Sequence, residues 1–278
     1  MSATGKRVRL ARMFRRGRLV MIPFDDDLIN GPFEGLIDPL GRIRETAGHA
    51  DAILGYRRLS ELCAREGVTV PFVRNLSGST VHRDHTRKVL VGTVEAALRD
   101  GCDAVAVHVN ISSAFESSML GALGVIGEEC DRSGMPLVAI MYPRREENGR
   151  DDNYLELRKQ DNPAYVRLVR HCVRVGVELG ADLVKTQYTG DLEGFASVVD
   201  AAMGVPVIIA GGPKVSVEDA LDNAHGAIRA GAAGVCFGRN SYNRTDPARF
   251  VRSLSAVVHD GRPPRRLDEI DSPVDAAT

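Results

Sequence analysis

Eight short apolar runs, spaced by helix-like segments, constrain this chain more than any of its other features. They begin near Leu19 (LVMIPFD), Ala52 (AILGY), Thr69 (TVPFVRNL), Ala104 (AVAVHVN), Leu137 (LVAIMYP), Leu183 (LVKTQYTG), Val205 (VPVIIAGGP) and Gly234 (GVCFGRN). Most are continuously apolar rather than alternating, the pattern of parallel strands covered on both faces. Between them, Thr93–Asp100, Glu116–Ser133, Pro163–Leu179, Asp191–Ala202 and Val217–Ala230 read as helices. Glycines in Gly101-Cys102-Asp103 and Gly180-Ala181-Asp182 suit helix ends that turn sharply into the next strand. The alternation predicts an α/β fold, a (β/α)8 TIM barrel, as a single domain over residues 1–260. A doubly wound open sheet is the alternative. No G-x-G-x-x-G follows the first run, which counts against its dinucleotide-binding form.

Composition excludes more than it assigns. The formal net charge is −1, so nothing in the total calls for nucleic acid or an anionic membrane. No apolar run approaches the ~20 residues that span a bilayer, and no signal-peptide core opens the chain. The five cysteines are scattered and form no C-x-x-C pair, which fits a reducing, cytoplasmic setting. Three segments stand outside the repeat. The basic N-terminal stretch (Lys6, Arg7, Arg9, Arg12, Arg15, Arg16, Arg18) reads as a solvated helix face or a subunit contact. Residues 144–162 form a charged insert after the fifth strand, either a lid or recognition loop or a solvated loop. Residues 261–278 read as a tail.

A barrel carries its active site at the C-terminal ends of its strands. There, Lys185 stands in an apolar sixth run, which makes it a candidate amine nucleophile with a pKa lowered by burial. Tyr142, one strand earlier, is a candidate proton shuttle, or else a core tyrosine with its hydroxyl capped by backbone. Asp25, after the first strand, is a candidate carboxylate for the reaction, or else a helix N-cap. Gly211, Gly212, Gly238 and Arg239, after strands seven and eight, form a candidate phosphate cradle, in which glycines admit backbone N–H groups and Arg239 makes paired hydrogen bonds. The histidines are dispersed, so no catalytic metal is expected.

Six motifs occur in order: Ile22-Pro23-Phe24-Asp25-Asp26-Asp27-Leu28-Ile29-Asn30-Gly31-Pro32, Val105-Ala106-Val107-His108-Val109-Asn110, Met141-Tyr142-Pro143-Arg144, Val184-Lys185-Thr186-Gln187-Tyr188-Thr189-Gly190, Ala210-Gly211-Gly212-Pro213-Lys214 and Gly238-Arg239-Asn240. Together, from about Gly5 to His259, they resemble class I aldolases of the archaeal fructose-bisphosphate aldolase type, a group that includes 2-amino-3,7-dideoxy-D-threo-hept-6-ulosonate synthase. The resemblance implies a Schiff-base role for Lys185, acid/base work for Tyr142, assistance from Asp25, the phosphate cradle, no cofactor, and a homo-oligomer, up to a decamer. The chain departs from the family at Asp25-Asp26-Asp27, where Asp-His-Gly is usual. Acids at Asp26 and Asp27 disfavour a second phosphate and attract an ammonium group, while Arg74, Arg144 or Arg145 would receive a carboxylate. With His108, these are the expected acceptor-side residues. The expected reaction joins a phosphorylated ketone, dihydroxyacetone phosphate, to an amino-acid semialdehyde such as aspartate semialdehyde. The product is a seven-carbon aminated ketose phosphate of the kind used toward aminohydroxybenzoates. Fructose-bisphosphate cleavage, heptulosonate synthesis, a barrel isomerase or lyase without covalent lysine, and a non-catalytic sugar-phosphate sensor are the alternatives.

Overall fold

A computed structural model describes residues 2–147 and 150–264 of the chain. All eight expected runs form strands: β1 (Leu19–Pro23), β2 (Ala52–Gly55), β3 (Phe72–Asn75), β4 (Ala104–Ile111), β5 (Leu137–Pro143), β6 (Leu183–Thr186), β7 (Val207–Ala210) and β8 (Gly234–Cys236). They pair in parallel and in chain order, and β8 closes back on β1 with Leu19 opposite Gly234. β3 and β7 begin later than the apolar runs because each run opens on a proline step (Pro71, Pro206), and proline donates no ladder hydrogen bond. The tail expected over 261–278 falls, from residue 265 onward, outside the described residues.

Closure fixes which side chains face the axis. Leu19, Met21, Ala52, Leu54, Val73, Ala104, Ala106, Val138, Ile140, Leu183 and Ile208 fill the barrel, while Val20, Ile22, Ile53, Val105, Val107, Val109, Ala139 and Val184 face outward to the helices. Period-two alternation then carries Asn75, His108, Asn110, Tyr142, Lys185 and Cys236 inward at the C-terminal end. Six helices start on capping side chains: Asp38, Thr93, Asp161, Asp191, Ser216 and Asp246 each accept a first-turn backbone N–H.

The opposite end is held by three aspartates that stand just before β2, β4 and β6. Each accepts the backbone N–H at or next to the start of the preceding strand: Asp51 from Val20 at 2.6 Å, Asp103 from Phe72 at 3.2 Å and Asp182 from Leu137 at 2.9 Å. Each also meets a cation or a histidine: His259 at 2.8 Å from Asp51, Arg12 at 3.3 Å from Asp103 and Lys6 at 2.8 Å from Asp182. The basic N-terminal segment is therefore partly used within the fold, while Arg7, Arg12, Arg15 and Arg16 stay exposed. The helix Ser2–Met13 covers the barrel floor, inserting Met13 completely and burying Lys6 between Asp131 (2.5 Å) and Asp182. Arg9 and Arg18 donate to the carbonyls of Gly134 and Ala232, and Arg15 to Ser255. Burial works against the Lys6 charge, but its hydrogen bonds to two carboxylates prevail and its pKa is raised.

The floor yields a stability ranking. Asp182→Ala leaves a buried ammonium with one carboxylate fewer and orphans the Leu137 N–H, so a loss of about 2–4 kcal/mol is expected. Asp103→Ala frees an Arg12 that is already well exposed, so about 1–2 kcal/mol is expected. Urea midpoints at unchanged slope measure both, and a smaller loss for Asp182→Ala than for Asp103→Ala contradicts the ranking.

Candidate active site

The C-terminal mouth of the barrel opens into a cavity of about 430 Å³. Asp25, Asp26, His108, Tyr142, Arg144, Lys185, Gly211, Gly212, Gly238 and Arg239 all line it. Most of the expected site residues thus converge on one space. Arg74, Asp27 and Arg145 do not line it. Parity excludes Arg74: its neighbours Val73 and Asn75 face the axis, so Arg74 points out and pairs with Asp100 at 2.6 Å, fully covered. Arg145 is spent on Asp152 (3.0 Å) and Glu147 (2.9 Å). Asp27 lies in the short helix Asp26–Asn30 with Oδ1 buried and unpartnered, where burial and the Asp26 charge push its pKa up to about 6.

Lys185 is buried on β6 and faces the axis. Burial alone lowers its pKa, yet Cys236, Tyr142 and Asp25 around it act the other way, and the balance lies upward. The expected depressed lysine pKa is thus not found, because the groups around Lys185 outweigh its burial. Asp25 stands at the N-cap position of the Asp26–Asn30 helix but makes no capping hydrogen bond. Its Oδ2 instead accepts from Asn75 Nδ2 at 2.9 Å. Burial raises the Asp25 pKa, opposed chiefly by the Lys185 charge. Tyr142 faces Asp25 from β5, four strands around the ring, and burial raises its phenol. The His108 ring meets Tyr142 edge-on, with centroids 4.8 Å apart.

The candidate phosphate loops are shaped by close approach. A Cβ on Gly211 would stand 3.0 Å from Phe237, and one on Gly238 would stand 3.1 Å from the Pro23 carbonyl oxygen. Gly212 has a φ of +64° with open space beside it. Asn240 binds the two loops together, donating to the carbonyls of Gly211 (2.8 Å) and Pro213 (2.9 Å) and accepting from the Val215 N–H (3.0 Å). Arg239 lies 3.6 Å from Asp26 Oδ2, which also accepts from the Tyr242 hydroxyl at 2.6 Å. Asp26 therefore pairs with Arg239 as well as facing the cavity.

The insert after β5 forms a small antiparallel pair, Arg145–Glu147 with Arg150–Asp152, and a helix Leu155–Gln160. It sends Asp151, Asn153, Leu155 and Arg158 to the cavity beside Arg144, so it is part of the mouth and more than a solvated loop. Sequence reasoning placed Asn75 on the rim without a role and missed Cys236 and Tyr242 as partners of the site. The inward parity of Asn75 and Cys236 was available as a signal, whereas the Tyr242–Asp26 contact spans 216 residues and had none.

The relationships of the chain agree with this layout. The model of the DeoC/LacD family aldolases matches residues 19–244. A 2-amino-4,5-dihydroxy-6-oxo-7-(phosphonooxy)heptanoate synthase of Streptomyces griseus is 39% identical over 248 residues, covering 87% of this chain and 85% of that protein. A 2-amino-3,7-dideoxy-D-threo-hept-6-ulosonate synthase of Halobacterium salinarum is 36% identical over 266 residues, covering 95% of each. Among solved structures, an archaeal fructose 1,6-bisphosphate aldolase superposes with a TM-score of 0.79 at 30% identity, covering 92% of this chain and 100% of that one. Another, an archaeal fructose-1,6-bisphosphate aldolase whose catalytic lysine is covalently bound to the carbinolamine intermediate of the substrate, superposes at 0.78 with 29% identity, covering 91% and 99%. With the barrel, the cavity and these relationships together, the chain belongs to the DeoC/LacD family and is a class I aldolase.

Proposed function

We propose that Lys185 is the Schiff-base lysine, with Tyr142 and Asp25 moving protons and Gly211, Gly212, Gly238 and Arg239 holding the donor phosphate. The observation that carries this reading is an inward, buried lysine flanked by Asp25 and Tyr142 at a cavity that also contains the glycine loops. Asp25 relieves the Lys185 ammonium of a proton, and the neutral amine adds to the ketone of dihydroxyacetone phosphate to give a carbinolamine. Loss of water gives the iminium. Tyr142, left as a phenolate by giving its proton to the departing hydroxyl, takes a proton from the adjacent carbon, and the enamine so formed attacks the aldehyde, whose oxygen takes that proton from Tyr142. Water then releases the product and restores the amine.

The acceptor that fits best is an amino-acid semialdehyde such as aspartate semialdehyde. Its four carbons and the three of the donor join to a 2-amino-4,5-dihydroxy-6-oxo-7-phosphorylated heptanoate, the compound in the name of the Streptomyces griseus relative. The site residues Asp26 and Arg144 supply one charge of each sign toward such an acceptor. Cytoplasmic operation as a homo-oligomer completes the reading. No helix among the described residues is long and apolar enough to cross a membrane.

Four measurements test it. Borohydride reduction with dihydroxyacetone phosphate in EDTA is expected to leave the adduct on Lys185, and Lys185→Arg is expected to lose roughly 10³-fold or more in turnover. An adduct on another lysine, or substantial turnover in Lys185→Arg, overturns the assignment. Among aldehydes, efficient use of glyceraldehyde 3-phosphate with indifference to aspartate semialdehyde rules out the acceptor. Finally, kcat/KM for the donor is expected to fall with falling pH. Burial raises the Asp25 pKa, so the acid limb lies above the ordinary carboxylate range near roughly pH 4, and Asp25→Asn removes that limb. An acid limb that survives Asp25→Asn assigns it to another group.

A further inference from the structure

A second buried lysine lies near the site, and the chemistry above does not use it. Lys88 belongs to the segment between two short paired strands, Ser77–Gly78 and Val89–Leu90, that follow β3. The segment folds over the mouth on the β3–β4 side. Ser79 Oγ donates to the His85 carbonyl at 2.8 Å, Asn110 Nδ2 donates to the Thr86 carbonyl at 2.8 Å, and the His85 ring pairs with Asp151 of the insert. Lys88 is 4% exposed and donates to Ser79 Oγ at 2.6 Å. No carboxylate among the described residues stands within ion-pair distance of it. A buried ammonium without a counter-ion is costly, so its environment favours an anion.

The adjoining wall has unspent donors. His108 is buried, lines the cavity, and keeps Nε2 without a protein partner. Arg144 uses Nε on Asn153 at 2.6 Å and places Nη1 4.0 Å from Asp151, and Nη2 makes no hydrogen bond to the described residues. Burial holds the imidazole well below its ordinary pKa, and Lys88, Arg144 and Lys185 push it further the same way. His108 is thus a neutral group in a field made positive by three cations. Asp25, Asp26 and Asp151 oppose that field from the β1 side and from the insert. Position in the ring matters as well: β4, which bears His108, lies four strands from β8 and its glycine loop, directly across the barrel. Lys185 on β6 stands between them.

We infer that Arg144 and His108, backed by the Lys88 ammonium, form a second anion subsite on the β4–β5 wall, and that it takes the carboxylate end of the acceptor. This rests on the aldolase reading above. The substrate then lies across the barrel with its phosphate at β7–β8, its reacting carbons beside Lys185, and its carboxylate at β4–β5. The His108 Nε2–H and the Arg144 guanidinium touch the carboxylate, and Lys88 supplies charge from behind them.

The test is a selectivity ratio, kcat/KM for aspartate semialdehyde over kcat/KM for the uncharged glycolaldehyde. In Lys88→Met and Arg144→Met the ratio is expected to fall by roughly tenfold or more, since a cation at this wall acts on the acceptor carboxylate, which glycolaldehyde lacks. A ratio within about twofold of the unmodified protein, whatever the absolute rates, overturns the subsite. Glyceraldehyde 3-phosphate distinguishes the anion: a loss confined to it, with aspartate semialdehyde spared, overturns the carboxylate in favour of a phosphate. Donor trapping on Lys185 in each variant reports that the barrel is folded. If the unmodified protein traps no donor, the Schiff-base reading fails, and the subsite is then judged by binding alone. In calorimetry on the unmodified protein, L-2-aminobutyrate is expected to bind about tenfold or more tightly than its amide, and equal affinities overturn the proposal.

Discussion

Closure of an eight-stranded parallel ring is the constraint on which the rest of this structure depends. Once β8 pairs with β1, every strand residue is assigned to the axis or to the helices, and a one-residue slip would exchange the two sets. Lys185 faces the axis because Leu183 does, and Tyr142 because Ile140 and Val138 do. The three aspartates at the floor secure that parity at the strand entrances, where they bind backbone rather than side chain. A barrel held at its floor in this way can carry a polar layer at its mouth. The acids and amines there are costly to bury, and the helix side of the barrel, wholly apolar along β4 and β5, compensates.

Within that layer the charges are coupled, and single-residue descriptions fail. Burial alone would lower the Lys185 pKa; in its setting the pKa is raised, because Cys236, Tyr142 and Asp25 surround it. Asp25 in isolation should be an ordinary carboxylate; burial raises it, and Lys185 pulls it back. The pair is better described as sharing a proton demand than as two independent groups. Asn75 makes this arrangement specific by holding one Asp25 oxygen, which draws the carboxyl away from a helix-capping role and toward the axis.

Much of the fold was legible because β strands of a covered sheet declare themselves as apolar runs, and because glycines and capping residues mark helix ends. The candidate site was legible where chain order alone brings residues to strand ends, as for Asp25, Tyr142, Lys185 and the two glycine loops. It was not legible where register or distant contact decides. Arg74 and Asn75 are neighbours of equal polarity, yet parity sends one to Asp100 outside the barrel and the other to Asp25 within it. The aspartate that ends Gly-Cys-Asp or Gly-Ala-Asp looks like turn chemistry, and its clamp on the previous strand appears only when the strands are side by side. The basic N-terminus looked solvated because nothing in its composition shows that Asp131, Asp182 and two backbone carbonyls await it.

The three buried lysines among the described residues show how far local sequence falls short of assigning a role. Lys6 sits between two carboxylates, so its charge is neutralised and it serves the floor. Lys185 faces one carboxylate, Asp25, whose pKa burial raises, so its charge is met only in part, as the proposed proton transfer requires. Lys88 has only a hydroxyl at hydrogen-bond distance, and burial and Arg144 push its pKa down to about 8. The same side chain is thus structural, reactive or receptive according to how completely its charge is met. Where the charge is met in full, nothing is left to bind a ligand. Where it is met in part, a proton can move. Where it is met hardly at all, the balance is restored by whatever anion enters the mouth. On the proposed reading, the acceptor is chosen less by the acids that replace the usual histidine and glycine after β1 than by a buried ammonium on the opposite wall whose close partner is a hydroxyl and not a carboxylate.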